Sequence, residues 1–349
     1  YLAKEIKDKY ADAEILYVGT ESGLEAEIVP KAGYDFKTIR VKGMPRKLNK
    51  KSLIAAIALL HGLNDSRKIL KEYKPDIVIG TGGYVCGPVV YMASRLKIPT
   101  LIHEQNAFPG ITNKILSRYV DKVAITFDEA KKYFKYPNRV INTGNPIRSE
   151  ILNIDKSKAY KELDIQPNIP LILSFGGSGG QKKLNDSILD FIQYNIENKN
   201  IQLIHVTGNR LYEGFMEEVM KRNIIIPYNI KILPYLYKML EALNLANLVI
   251  TSSGAITLAE ISAIGVPSIL IPKSYTAENH QEYNANAFRD SGASIVILEK
   301  DLNSEMFNNI VLELLNNEEK LQDMGISSRR MGKIDASNNI MKIIDGLTS

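Results

Sequence analysis

The stretch L-I-L-S-F-G-G-S-G-G-Q-K-K-L-N-D, residues 171–186, decides the fold class. Five apolar or small residues run straight into a turn with Gly176, Gly177, Gly179 and Gly180, and a polar-apolar pattern of helical period follows. A short apolar run bounded by glycines reads as a buried strand, and the pattern beyond it as a helix, so this is one strand-turn-helix step of a parallel sheet. The same step recurs along the chain. Strands are expected at Ile15–Val18, Lys37–Val41, Asp76–Ile79, Thr100–Ile102, Lys122–Thr126 and Val140–Thr143. A second set is expected at Leu171–Phe175, Gln202–Val206, Ile230–Leu233, Leu248–Thr251, Ser268–Ile271 and Ser294–Leu298. Strands alternating with longer helical patterns predict an α/β chain of two doubly wound halves. The join falls near T-G-N-P-I-R-S-E-I-L-N-I-D (143–155), which places one domain at 1–145 and the other at 146–331. Residues 332–349 form an amphipathic segment expected to pack back on the first domain.

Composition narrows the function classes. The 349 residues are 45% hydrophobic and 24% charged, a balance that supports a packed core and excludes disorder. Cys86 is the only cysteine, so no internal disulfide or multi-cysteine metal site is available. Four histidines, His61, His103, His205 and His280, are scattered without ligand spacing, and no metal or cofactor is expected. A net charge of +5 is too small to indicate nucleic acid, and no run approaches the roughly 20 apolar residues of a bilayer span. The opening Y-L-A-K-E-I-K-D-K-Y reads as an uncapped charged helix, so the sequence is expected to begin inside a structural element and to lack its first strand.

Glycines cluster where an open parallel sheet binds ligands, at the carboxyl ends of strands. The turn at 176–180 can aim successive N–H groups at an anion, or serve as a plain tight connection. In L-V-I-T-S-S-G-A-I-T-L-A-E (248–260) a strand meets a helix start, where orphan N–H groups and the helix dipole suit a diphosphate. Ser252 or Ser253 would also fit there as an N-cap. Glu260, a turn or two later, is an acceptor-only group suited to the paired hydroxyls of a ribose, although a lone helix Glu also fits a solvated surface. The loop A-E-N-H-Q-E-Y-N-A-N-A-F (277–288) offers amides suited to sugar hydroxyls. In the first half, I-V-I-G-T-G-G-Y-V-C-G-P (77–88) and L-I-H-E-Q-N-A-F-P-G-I-T-N-K (101–114) place glycines and polar side chains at strand ends. Finally, K-G-M-P-R-K-L-N-K-K (42–51) precedes the apolar S-L-I-A-A-I-A-L-L-H-G-L (52–63). On composition that pairing reads first as a core helix after a solvated loop, and it also suits an anionic membrane surface.

In this order and spacing, G-T-G-G-Y-V-C-G-P (80–88), I-H-E-Q-N (102–106), G-N-P-I-R (144–148), G-G-S-G-G (176–180), S-S-G-A-I-T-L-A-E (252–260) and H-Q-E-Y-N-A (280–285) closely resemble the MurG glycosyltransferases. The resemblance implies a GT-B fold, two Rossmann-like domains facing a central cleft. It implies inverting, metal-independent transfer of N-acetylglucosamine from UDP-N-acetylglucosamine to the 4-hydroxyl of the muramyl sugar of lipid I, giving lipid II for peptidoglycan. It places the protein peripherally on the cytoplasmic face of the cell membrane, beside other cell-wall synthesis proteins. By resemblance, Ser178 and Ala255, Ile256 and Thr257 hold the diphosphate, with Leu258 and Ala259 continuing that binding stretch. Glu260 takes the ribose, Gln281 the sugar and the Leu236 backbone the uracil, while Asn106 and Arg148 reach the donor from across the cleft. Ser252 stands where the family often has Arg, and Gln181 where it often has Ala. The family's first Gly-rich turn, which resembles G-G-T-x-G-H and carries the histidine usually proposed as base, is not in this sequence, so no base is assigned and the chain is expected to be inactive. His103 and Glu104 are near Asn106 but fit a structural role as well. Alternatives on the same fold are a UDP-sugar 2-epimerase, which needs converging acids and histidines that are scarce here, or a diacylglycerol glycosyltransferase. An alternative of another class is a non-catalytic nucleotide-sugar-binding subunit.

Overall fold

The computed structural model describes residues 1–43 and 50–349. It divides into two units, Tyr1–Pro146 with Asp335–Ser349, and Ile147–Ile334.

The second unit holds six parallel strands, β7 (Leu171–Phe175), β8 (Gln202–Val206), β9 (Ile230–Leu233), β10 (Leu248–Thr251), β11 (Ser268–Leu270) and β12 (Ser294–Val296). Their order is β12-β11-β10-β7-β8-β9, so the unit's first and fourth strands lie side by side and the winding direction reverses between them. All five residues of β7 are buried, as a central strand covered on both faces requires. Successive side chains serve opposite cores. Ile172 packs with Leu184, Ile188, Phe191 and Phe307 on one side, whereas Leu173 and Phe175 pack with Ala242, Leu243 and Ile261 on the other. Each fully buried Leu or Ile contributes about 1.5–3 kcal/mol, so helices are held on both faces.

The first unit contains β1 (Leu16–Gly19), β2 (Asp35–Thr38), β3 (Val78–Gly80), β4 (Thr100–Glu104), β5 (Lys122–Ile125) and β6 (Val140–Asn142). These form two parallel sheets, β1-β2 and β3-β4-β5-β6. Among the described residues no ladder joins β1 to β3; Leu16 and Val18 instead pack against the cluster of Val78, Val89 and Val90. The second strand lies two residues earlier than the pattern predicts, because β1 offers partners only as far as Gly19. Ile39 and Val41, which suggested the later register, are buried beyond the ladder. The helix Ala336–Thr348 places Ile340, Met341 and Ile344 in a core with Leu101 and Ala124, and Lys9 donates to Asp345 at 2.5 Å.

Candidate functional site

The reversal between β7 and β10 brings two turns together at the carboxyl edge of the second sheet. In the first, Gly180 adopts φ +71°, and a Cβ there would stand 2.2 Å from the Thr207 carbonyl oxygen, so only glycine fits. Ser178 is exposed at the tip of this turn. Gln181 occupies the N-cap of the helix Lys182–Tyr194 without capping it by its side chain. Its amide donates instead to the Ile271 carbonyl at 3.0 Å and to Glu299 Oε1 at 2.8 Å.

The second turn leads into the helix Ala255–Ile264. Its N-cap is Gly254, not either serine, and no side chain caps it. Ser253 Oγ donates to the Gln281 carbonyl at 2.6 Å, and Asn284 Nδ2 donates to the Ser253 carbonyl at 3.1 Å. The serine is thus drawn away from capping by the neighbouring helix, and the first N–H groups, on Ala255, Ile256 and Thr257, stay open at the positive end of the dipole. Farther along, Leu258 is buried and Ala259 half-buried, so these two build the helix rather than its open end.

Glu260, one helical turn deeper, is buried, and its Oε1 accepts from Arg148 Nε at 3.1 Å and Nη2 at 2.9 Å. A buried carboxylate requires such a partner. Arg148 therefore does not approach from the opposite unit, as the resemblance implied. It belongs to the second unit with Glu260, because Ile147 and Ile151 on either side are anchored in that unit's core. Gln281 is buried, and its Oε1 accepts from the Lys273 backbone N–H at 3.0 Å. Leu236 packs its side chain into the core between exposed Tyr235 and Tyr237, while its own N–H and carbonyl make no hydrogen bond with described residues.

Asn106 lies in the first unit, and its backbone N–H and Nδ2 donate to Glu104 Oε1 at 3.0 and 3.2 Å. Glu104 also accepts from the Gly110 N–H and Asn113 Nδ2, so the carboxylate is the hub of the loop. His103 Nε2 donates to the Gly144 carbonyl at 3.0 Å, which leaves Nδ1 to accept from Gln105 at 3.2 Å. Burial pushes its pKa below the usual value, so the ring is neutral with both nitrogens engaged. Both side chains hold the loop together through these bonds. Among the described residues no group of three or more His, Cys, Asp or Glu is placed to hold a metal ion.

Lys273 and Glu299 were not singled out by sequence. Lys273 follows β11 in I-P-K-S, a place that reads as the tail of a buried strand, and its Nζ donates to the Gly180 carbonyl at 2.9 Å. Glu299 Oε2 accepts from the Ser274 N–H at 3.0 Å and from its hydroxyl. The only available signal was a lysine directly after a strand-ending proline.

A doubly wound parallel sheet with two open N–H turns at its switch point defines a Rossmann-type, nucleotide-handling class of protein. Residues 2–125 match the glycosyltransferase family 28 N-terminal domain, and residues 171–340 match the glycosyltransferase family 28 C-terminal domain. The chain is 48% identical to the UDP-N-acetylglucosamine--N-acetylmuramyl-(pentapeptide) pyrophosphoryl-undecaprenol N-acetylglucosamine transferase of Acetivibrio thermocellus, covering 98% of this chain and 92% of that one. It is 49% identical to the protein of the same name from Clostridioides difficile, covering 98% and 84%. The crystal structure of Acinetobacter baumannii MurG aligns with a TM-score of 0.78 at 26% identity, covering 99% of this chain and 94% of that one. The chain belongs to the MurG family of family 28 glycosyltransferases.

Proposed function

We propose that this chain binds UDP-N-acetylglucosamine on its second unit and moves the N-acetylglucosamine to the muramyl 4-hydroxyl of undecaprenyl-diphosphate-muramoyl-pentapeptide. The observation that carries the donor half is the buried Glu260 carboxylate below an uncapped helix start, with one oxygen held by Arg148. That geometry presents an acceptor for ribose hydroxyls one turn beneath N–H groups for a diphosphate. When the acceptor hydroxyl attacks the anomeric carbon and releases its proton to a base or to water, the bond to the diphosphate breaks and negative charge grows on the leaving oxygen. Fixed N–H dipoles and a guanidinium stabilise such charge without reorganising. Leu236 offers an unpaired N–H and carbonyl to the uracil edge, and Ser178 lies exposed on the glycine turn. Gln281 is proposed to meet the sugar, and Asn106 to contact the donor. Calorimetry with UDP-N-acetylglucosamine, UDP and GDP tests the donor half: the two uridine nucleotides bind and compete for one site, GDP does not, and equal binding of GDP rejects the reading.

The acceptor half is proposed to work at an anionic membrane surface. In the helix Lys50–Tyr73, Leu53, Ile54, Ile57 and Leu60 recur at helical spacing and are exposed, Leu53 at 68%. That helix packs beside Gly83–Arg95, which packs beside Ile111–Leu116, and Tyr84, Ile111 and Ile115 are exposed as well. Exposed apolar groups on neighbouring helices suit shallow insertion. No helix among the described residues is long and apolar enough to cross a membrane. Arg46 and Lys47 lie outside the described residues, as do the side chains of Lys50 and Lys51. Charge reversal at these four is expected to weaken binding to anionic vesicles by about 1 kcal/mol per charge and to leave UDP binding unchanged. Co-sedimentation indifferent to salt and to these charges rejects the surface.

A further inference from the structure

We propose that the Lys273 ammonium group binds the diphosphate of the nucleotide sugar, acting as the side-chain cation of the glycine turn; this rests on the donor reading above. Three observations place it there. Its Nζ reaches from the end of β11, across β10, to the Gly180 carbonyl at 2.9 Å, and so spans from one strand end to the turn after β7. The position beside it, Gly177, carries no side chain. A Cβ at Gly177 would begin 3.9 Å from Lys273 Nζ and 3.7 Å from Ser252 Oγ, and the backbone there takes φ +74°. That space is lined by an ammonium group and a hydroxyl, the donors an anion requires.

The lysine is also held in place. Its N–H donates to Gln281 Oε1, and the adjoining Ser274 is pinned through N–H and hydroxyl by Glu299, which Gln181 ties to the start of the helix after the turn. With its main chain fixed on both sides, the side chain loses little freedom on meeting a ligand. Nζ donates to a carbonyl rather than to a carboxylate. Burial lowers its pKa below the usual lysine value, and the Glu299 carboxylate nearby only partly opposes this. Ser252, across the space, is uncharged, so the positive charge on this side of the turn comes from β11.

The test measures UDP by calorimetry and uridine by ligand-observed magnetic resonance, on the unmodified protein, Lys273→Met and Lys273→Arg. Lys273→Met is expected to weaken UDP about tenfold or more, the scale of a charged hydrogen bond, with uridine affinity unchanged. Lys273→Arg restores most of the UDP affinity, and the salt dependence of UDP binding flattens in Lys273→Met alone. Equal UDP affinity in Lys273→Met overturns the proposal and leaves the lysine as a brace for Gly180. Parallel loss of UDP and uridine with a lowered melting temperature does the same. If the unmodified protein binds neither uridine nor UDP, the donor reading itself fails and this inference with it.

Discussion

Glu260 keeps Oε1 on Arg148 and has Oε2 left for a ligand, so the two ends of a uridine diphosphate are expected to respond to different residues. Glu260→Ala should weaken UDP by about 1.5–3 kcal/mol and weaken uridine by a similar factor, because its proposed partner is the ribose. Lys273→Met touches only the phosphate end. Calorimetry on both ligands separates them, and an unchanged uridine affinity in Glu260→Ala removes the ribose role. The acid was legible in the sequence because it follows a strand-turn-helix start within one element. Its partner was not, since Arg148 stands 112 residues away and only packing around Ile147 and Ile151 brings it back. Lys273 escaped for the same reason: its interest lies in Gly180, 93 positions distant, and no local period reports that.

At the scale of elements, apolar runs identify strands because a parallel sheet buries both faces, and β7, β8 and β10 read cleanly for that reason. Errors fall where tertiary partners choose the boundary. β2 stops with its neighbour, and Gly254 rather than a serine caps Ala255–Ile264 because Ser253 bonds to Gln281. One cross-element tie is visible through pH. Arg40, beyond β2, donates from its N–H, Nε and Nη2 to Asp65 in the helix Lys50–Tyr73, and this pairing lowers the Asp65 pKa to about 2. A carboxylate depressed in the folded state stabilises it above the unfolded value of about 3.9, and that stability disappears as pH falls through about 2. Because the Arg40 side chain is 64% exposed, water screens the pair and the contribution is about 1 kcal/mol. Urea titrations should therefore find Asp65→Asn less stable by about that amount near neutrality, with the gap closing toward pH 2. A gap that persists there would show the loss to be packing rather than charge.

Across the whole molecule, the last helix belongs to the unit formed by the first residues, where Ile344 meets Leu101 and Ala124. Ile344→Ala should cost about 2–5 kcal/mol, and hydrogen exchange should locate the loss. Amides of β3 and β4 are expected to lose protection while those of β7 and β8 keep it. Uniform loss would mean that the two units unfold as one. The two-unit organisation was readable from a strand rhythm that repeats on either side of residues 143–155. The last helix was expected to pack back on the first domain, and it does, but its amphipathic pattern says only that a face must be covered and does not name Leu101 and Ala124 as the cover.

The outer strands also bear on handling the protein at high concentration. β2 and β6 are outer strands in the first unit, as β9 and β12 are in the second. Each outer strand carries a row of unpaired donors and acceptors able to template another chain. Crowded stocks should therefore begin to gel by strand exchange at these edges, and dilution should delay the onset.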